Sequence, residues 1–190
     1  MKTFLAALLA ALMLPGAASA AAVVQFNGAA GATAPSYTFF GATFSTLLGT
    51  DVEFAFLEQN LALKDSADAS PILVVFEGIF DGTLTVDVGD NGGDQDRLFM
   101  RIYDATGQLL GEDTDVLATG MSGSKTLITA ASDVAFAIIG GTGADGLSSV
   151  LIDNFTISGT FSSVPAPGGI VLFATGAAAL AFRSRNKRRS

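Results

Sequence analysis

The chain has 190 residues, 22 of them glycine, and it contains no cysteine, histidine or tryptophan. The lack of histidine and cysteine excludes Ser-His-Asp and Cys-His nucleophile pairs, disulfide bonds, and metal sites built from imidazole or thiolate ligands. The net charge of −8 is segregated, because residues 21–164 have 4 basic and 18 acidic side chains, a net of −14. So acidic a segment opposes binding to the phosphates of nucleic acids.

The first 20 residues have the layout of a secretory signal peptide. Lys2 supplies the positive charge, residues 4–14 form an apolar run, and small residues end the segment. Ala18 and Ala20 fit the A-x-A rule, which predicts cleavage after Ala20. The alternative is a buried N-terminal helix. An exported chain without cysteine must depend on core packing, bound ions or both.

Residues 21–163 have the size of one domain with its own core, and strand signals recur along them. Leu84, Val86 and Val88 alternate with polar side chains, so this strand is expected to bury only one face. The short runs rich in β-branched and aromatic residues cover 37–40, 52–56, 72–76, 83–88, 98–103, 125–129, 134–139 and 150–157.

These runs predict an all-β fold, an antiparallel two-sheet sandwich of the jelly-roll type. A signal helix at the N-terminus and a transmembrane helix at the C-terminus are expected to flank it. Arg97 and Arg101 alternate with apolar residues and are therefore expected to point outward. The alanine-bearing stretch 57–63 favours a helical turn or two.

The densest group of carboxylates lies on a glycine-rich turn within residues 87–96. Hard oxygen ligands on a loop that can bend suit Ca²⁺, and the sequence suggests no other cofactor. Asp90, Asp94 and Asp96 are the candidate calcium ligands. The spacing departs from the EF-hand, because Gly92 occupies a ligand position and no glutamate closes the loop. A solvated acidic hairpin tip is the alternative interpretation.

Two further acidic positions need an explanation. The group at 112–115 follows a glycine and is predicted to be another loop tip, without a ligand role. Alternation along the last strand places Asp153 on one face with Leu151, Phe155 and Ile157. A carboxylate on such an apolar face must be hydrogen-bonded, paired or metal-bound, and a backbone N–H or a β-bulge is the favoured explanation.

The chain ends in an apolar segment and a basic cluster. Pro-Ala-Pro at 165–167 precedes 15 uncharged residues, 168–182. As a helix they would span about 22 Å, against roughly 30 Å of hydrocarbon. The cations that follow are expected to stay in the cytoplasm, which leaves the body outside. The segment is therefore either an ordinary membrane anchor or a sorting signal.

Residues 164–190 resemble the PEP-CTERM protein-sorting signal of Gram-negative bacteria, in the variant that replaces the central Glu by a small residue. The resemblance implies cutting near the Pro-x-Pro motif by a membrane-embedded transpeptidase, an exosortase, in a cell that makes extracellular polysaccharide. The residues that it assigns to the signal are Val164, Pro165, Ala166, Pro167, Gly176, Arg183, Arg185, Lys187, Arg188 and Arg189.

The body resembles the jelly-roll ectodomains that often precede this tail. Residues 104–110 are similar to a hairpin turn of extracellular β-sandwiches, and residues 152–157 to the last strand of galactose-binding-like domains. In such domains a late aspartate, here Asp153, can help to hold a structural Ca²⁺. Asp104 and Gly107 also explain the hairpin without any family, through Asx-turn and left-handed backbone geometry.

The sequence therefore predicts an exported, non-catalytic surface or matrix protein, first membrane-anchored and then at the cell surface or outside the cell. One alternative is a carbohydrate-binding module for the host's exopolysaccharide, with Tyr37 and Tyr103 as the candidate stacking residues. The other is a glycoside hydrolase with two carboxylates, whose pKa values burial would have to separate. Exosortase, extracellular polysaccharide and the membrane are the expected partners, and nucleic acid is not.

Overall fold

A computed structural model describes residues 20–24, 26, 28–57, 60–67, 70–90, 95–118, 123–143, 146–148 and 150–162. These residues form twelve β-strands and no helix. The strands are β1 (Ala20–Val24), β2 (Thr33–Ala34), β3 (Ser36–Phe39), β4 (Ala42–Thr46), β5 (Val52–Leu57), β6 (Asn60–Asp65), β7 (Ile72–Asp90), β8 (Asp96–Tyr103), β9 (Leu109–Leu117), β10 (Gly123–Gly143), β11 (Gly146–Ser148) and β12 (Leu151–Ser162).

Two long strands, β7 and β10, run through both layers of the fold. In the first layer, residues 72–76 of β7 lie beside residues 136–142 of β10. The strand order of this layer is β3–β4–β7–β10–β8–β9. In the second layer the segment 79–90 of β7 lies between β10 and β12, and β1, β6, β5 and β2 extend the layer beyond β12. Every pairing is antiparallel, which confirms the predicted antiparallel, sandwich-like all-β fold. The jelly-roll type stays a prediction.

Phenylalanine side chains join the two layers in the core. The Phe44 ring, from the first layer, meets the Phe155 ring, from the second, edge to face at 5.2 Å. Phe26 packs on the same Phe44 ring at 5.4 Å. Edge-to-face pairs contribute about 0.5–1.5 kcal/mol beyond their buried area. A core of this kind replaces the disulfide bonds that a cysteine-free chain cannot form.

Gly82 and Gly159 lie opposite each other where β7 and β12 pair. A Cβ atom on Gly159 would stand 2.1 Å from the carbonyl oxygen of Asp81 and 2.7 Å from the Phe80 ring. No side chain can approach a backbone atom that closely. The two glycines therefore make room for the fully buried Phe80 side chain.

Inward and outward alternation follows the sequence pattern closely. Leu84, Val86 and Val88 are fully buried, and Arg97 is exposed. The runs 72–76 and 83–88 belong to one continuous strand, as do 125–129 and 134–139. The pattern divides them because the register of the β7–β10 pairing shifts between the apolar runs.

The prediction of helical turns over residues 57–63 is wrong. β5 continues to Leu57, and β6 begins at Asn60 and pairs with it. Ala62, paired with Ala55, is fully buried. The tertiary environment buries these small residues in a sheet and overrides the helical propensity of alanine.

The predicted face of the last strand is also wrong. A register shift between Asp153 and Thr156 breaks the alternation, and Asn154 adopts φ of 47°. Phe155 points into the main core as Ile152 does, whereas Asp153, which is buried, lies across from Asp87 on the side of the second layer that faces away from this core. The β-bulge considered from the sequence therefore accounts for the position of the carboxylate.

The predicted signal helix and the predicted span 168–182 lie outside the described residues. Ala20 begins β1, whereas Ala18 is outside the described part. In the described ranges no helix is long and apolar enough to cross a bilayer.

Candidate functional site

The outer surface of the first layer has an apolar centre with polar borders. We call it the aromatic face. One row of paired residues crosses six strands, and Thr38 and Thr43 at one end share a hydrogen bond of 2.9 Å between their hydroxyl groups. In strand order this row consists of Thr38, Thr43, Val75, Phe136, Tyr103 and Leu109.

A parallel row lies next to it on the same face. In strand order it consists of Ser36, Ser45, Leu73, Ile138, Arg101 and Glu112. Arg101 Nε donates a hydrogen bond of 2.8 Å to Glu112, and the guanidinium lies 4.5 Å from the centre of the Phe99 ring. The salt bridge to Glu112 and the cation–π contact with Phe99 together hold the guanidinium at the border of the face.

Tyr103 is the central aromatic side chain of the aromatic face. Its ring stacks on the Phe136 ring at 4.8 Å with an interplanar angle of 10°. Phe136 is nearly buried, whereas Tyr103 is half-buried, so the tyrosine is the more accessible ring. Burial is also the main reason that the pKa of the Tyr103 phenol is raised. The phenol therefore stays protonated at neutral pH and can donate a hydrogen bond.

The turn after Tyr103 is fixed by its own side chains. Asp104 Oδ1 accepts hydrogen bonds of 2.8 Å from the backbone N–H groups of Thr106 and Gln108 and from the Thr106 hydroxyl. These bonds lower the pKa of Asp104, with the Thr106 hydroxyl as the largest cause. Gly107 takes φ of 86°. The Asx-turn and left-handed glycine predicted for this hairpin are confirmed.

Tyr37, the other candidate stacking residue, points the opposite way. Its ring packs 4.5 Å from the Phe54 ring and against the main core. Tyr37 is therefore a core residue at the edge of the sandwich. Phe136 joins the candidate site although the sequence pattern did not single it out, because only strand pairing shows that Phe136 and Tyr103 are neighbours.

The outer surface of the second layer is mostly polar, with Ile128 as an exposed apolar exception, and we call it the threonine face. Its outward residues include Thr83, Thr85, Asp87, Thr126, Asp153 and Thr156. Asp87 accepts hydrogen bonds from Thr126 Oγ1 at 2.6 Å and from Asn154 Nδ2 at 2.9 Å, one on each carboxylate oxygen. The Asn154 N–H donates to Asp153 Oδ1 at 2.7 Å.

Burial is the first cause that raises the pKa of Asp153, and the Asp87 charge adds to it. The bond from the Asn154 N–H opposes this shift. Glycoside hydrolysis requires a pair of carboxyl groups, of which the one with a raised pKa acts as the general acid. Here, however, each oxygen of Asp87 already accepts one hydrogen bond from a neighbouring side chain, so about half of its lone pairs are engaged within the sheet.

The calcium candidates are only partly within the described residues. Asp94 and the Asp90 side chain lie outside them. Asp96 is described: it begins β8, pairs with Leu117 and is almost completely buried. Within the described part of the chain, no three acidic side chains lie close enough to hold a metal ion. The calcium site stays a prediction.

The group at 112–115 is not a loop tip, because it belongs to β9. Asp113 Oδ2 accepts a hydrogen bond of 2.7 Å from the Ile128 N–H of β10, and Asp115 lies 3.8 Å from the Lys125 ammonium. These carboxylates alternate with other residues along the strand and hold β9 against β10. The residues predicted for the sorting signal, from Val164 to Arg189, lie outside the described part.

No protein-family model and no curated protein sequence matches the chain. Among solved structures, it is similar to the CBM22-1 xylan-binding domain of Xyn10C from Paenibacillus barcinonensis, with 15% identity, a TM-score of 0.43, and coverage of 70% of this chain and 98% of that chain. A variant of the family 29 carbohydrate-binding module CBM29-2 is 12% identical, with a TM-score of 0.40 and coverage of 78% and 99%. The arabinose-bound arabinofuranosidase MgGH51 is 13% identical, with a TM-score of 0.40 and coverage of 66% and 23%.

Proposed function

We propose that this protein is exported and binds polysaccharide without cutting it, through the aromatic face. The observation that carries the proposal is the stacked pair Phe136 and Tyr103, in a row that has threonine hydroxyl groups at one end and lies beside the row of Arg101 and Glu112. The row combines an apolar platform with hydrogen-bonding groups on one continuous surface.

Sugar rings have the complementary chemistry. A pyranose ring offers apolar C–H groups on its faces and hydroxyl groups around its rim, so it binds where an aromatic or aliphatic platform adjoins polar groups. Tyr103 supplies the platform and a phenol donor. Arg101 has five N–H donors, of which Nε–H is held by Glu112, and the others have no hydrogen-bond partner among the described residues.

The shape of the face favours a chain over a single sugar. Paired positions on neighbouring strands are about 4.8 Å apart, so the five steps from β3 to β9 span roughly 24 Å. The row is continuous over this length, and each strand contributes one side chain. A ligand that crosses the strands would therefore contact several of these side chains with successive sugar units.

Retention by polysaccharides tests the proposal. The protein is applied to gels that contain a soluble neutral glucan, a galactomannan or alginate, with and without calcium, and its migration is compared with that of Tyr103→Ala. We expect retention by at least one polysaccharide and loss of that retention in the variant. Equal retention of both proteins would assign the contact to another surface.

We further propose that signals at the two ends of the chain direct the protein to the cell exterior. The signal peptide, with Ala18 and Ala20 at its cleavage site, and the Pro165-Ala166-Pro167 motif with the basic tail support processing by an exosortase. The intact mass of the protein from its native host tests this step. A mature mass that still includes Arg183 to Ser190 would leave an ordinary membrane anchor as the explanation.

The paired carboxylates of the threonine face favour hydrolysis as the second candidate. Asp153 has the raised pKa of a general acid and stands beside Asp87. Release of reducing ends from the retained polysaccharide, abolished by Asp153→Asn, would make the protein a glycoside hydrolase and would contradict non-catalytic binding.

A further inference from the structure

The tip of the β3–β4 hairpin holds an aromatic residue in an unfavourable backbone conformation. Phe39 pairs with Ala42, so Phe40 and Gly41 form a two-residue turn. Their φ angles are 48° and 75°. A type I′ turn requires positive φ at both positions, and Asn-Gly is the favoured pair. Phenylalanine rarely adopts this conformation, because its Cβ crowds the following carbonyl oxygen.

The same side chain is also the most exposed of the large hydrophobic residues that the structure describes, at 67%. Within the described part of the chain it makes no ring contact, whereas Phe39 beside it packs on Phe26 at 5.7 Å. Both the backbone angle and the exposed ring oppose stability. Residues held in such a conformation without a structural benefit are often functional.

The hairpin places Phe40 beside the aromatic face. Tyr37 and Phe39 point toward the core, Ser36 and Thr38 point outward onto this face, and Phe40 begins the exposed turn directly after β3. The turn is fixed to the sheet, because the Glu77 N–H of β7 donates a hydrogen bond of 2.8 Å to the Gly41 carbonyl. Phe40 therefore stands at the corner of the face, beyond the end of the Thr38 row.

We propose that Phe40 is a second aromatic contact for the ligand of the aromatic face and that the ligand is a linear polysaccharide. This inference rests on the proposed function. Three to four strand spacings of about 4.8 Å separate β8 from the hairpin, so Tyr103 and Phe40 are roughly 15–20 Å apart. A disaccharide is too short to touch both rings, whereas a polysaccharide that crosses the strands reaches both.

The variant Phe40→Asn separates this role from a structural one. Asparagine tolerates positive φ and completes an Asn-Gly type I′ turn, so the melting temperature is expected to rise by about 2–4 °C. Retention of the full chain by the polysaccharide that binds the wild type is expected to weaken by about three- to tenfold. The two changes have opposite signs. Affinity for a disaccharide of the same polysaccharide, placed at Tyr103, is expected to stay the same.

Ile128→Thr is the matched control, because Ile128 is also exposed, at 54%, but lies on the threonine face. Unchanged retention of Phe40→Asn, while Tyr103→Ala loses retention, would overturn the role of Phe40 and leave the proposed function standing. A wild type that no polysaccharide retains would overturn both. Reduced binding of Phe40→Asn to phosphatidylglycerol vesicles, with unchanged retention by polysaccharide, would make Phe40 a membrane contact and overturn the inference.

Discussion

The aromatic face and the threonine face lie on opposite sides of the same sandwich and share one core. Long strands β7 and β10 contribute to both faces, and their inward residues are equally apolar. The difference lies in the outward residues: Val75, Phe136 and Ile138 on one side, Thr85 and Thr126 on the other. Each long strand thus contributes to two surfaces of different chemistry, because one segment of it pairs in the first layer and another segment pairs in the second.

The two faces also differ in how their polar groups are used. On the threonine face, Asp87 accepts one hydrogen bond on each carboxylate oxygen, from Thr126 and from Asn154. The polar side chains of neighbouring strands are therefore hydrogen-bonded to one another. On the aromatic face, Arg101 is held by the bond from Nε to Glu112 and by its contact with the Phe99 ring, and its terminal nitrogens make no hydrogen bond to the described residues. A surface whose donors are positioned but not consumed is suited to a ligand, and a surface with satisfied groups is suited to holding strands together.

The change with the largest expected effect, Gly159→Ala, acts on the core that the two faces share. The new Cβ would lie 2.1 Å from the Asp81 carbonyl oxygen, so β7 and β12 must separate. We expect a loss of about 3 kcal/mol or more in the free energy of unfolding, measured by urea denaturation. Ser158→Ala, at the exposed neighbouring position, is the control. A stability equal to wild type would contradict the close approach of the two strands.

Tyr103→Ala is expected to affect the aromatic face alone. Loss of the ring stacked on Phe136 should weaken polysaccharide binding about tenfold, or about 1.4 kcal/mol, because the platform disappears. Thr85→Ala on the threonine face should leave the dissociation constant unchanged. Isothermal titration of both variants measures the difference, and equal losses would show that the two faces do not divide the function.

Calcium provides a test that does not depend on either face. If Asp90, Asp94 and Asp96 hold the ion with an affinity typical of extracellular modules, 1 mM calcium stabilises the fold by about 0.4–1.4 kcal/mol. The melting temperature with calcium and with chelator measures the effect. Equal melting temperatures with calcium and with chelator would favour the alternative, in which these carboxylates lie on a solvated hairpin tip without an ion.

Asp153→Asn is expected to have the smallest effect, confined to the threonine face. The pKa of Asp153 is raised in the fold by burial and by Asp87, so the folded state binds more protons than the unfolded state between the ordinary and the raised value. Wild-type stability therefore falls as the pH rises through this window, and the charged form is unfavourable above it. The variant should be the more stable protein at pH 7.

Comparison of the two proteins over a pH series removes the contribution of other carboxylates. Asp104, for example, has a lowered pKa and stabilises the fold above its ordinary value, in both proteins alike. The difference between wild type and Asp153→Asn should shrink as the pH falls toward 4. A difference that does not change with pH would show that the fold does not raise the pKa of Asp153.

Much of the fold could be predicted from local pattern. The alternation of Leu84, Val86 and Val88 placed them inside, and the chemistry of Asp104 and Gly107 placed the hairpin turn. The pattern failed where a residue depends on distant partners. Composition predicts a helical turn at Ala62, although a strand buries it, and the bulge after Asp153 separates its face from that of Phe155 and Ile157.

The candidate site was harder to predict than the fold. Tyr37 and Tyr103 have the same chemistry in the sequence, yet one packs on Phe54 in the core and the other stands on the outer surface. The backbone strain at Phe40 likewise cannot be predicted from the sequence, because it depends on a φ angle that only the closed hairpin imposes.

By itself, the sequence determined the lack of thiol and imidazole chemistry, the strand-rich body, its acidity and the hydrogen-bonded turn after Tyr103, because composition and short-range alternation act through neighbouring residues. Only the tertiary structure decided that Phe136 and Tyr103 stack, that Asp87 and Asp153 meet, and that Phe40 stands beside the aromatic face. These relations depend on strand register and on bulges, and they join residues far apart in the chain, so local pattern does not specify them.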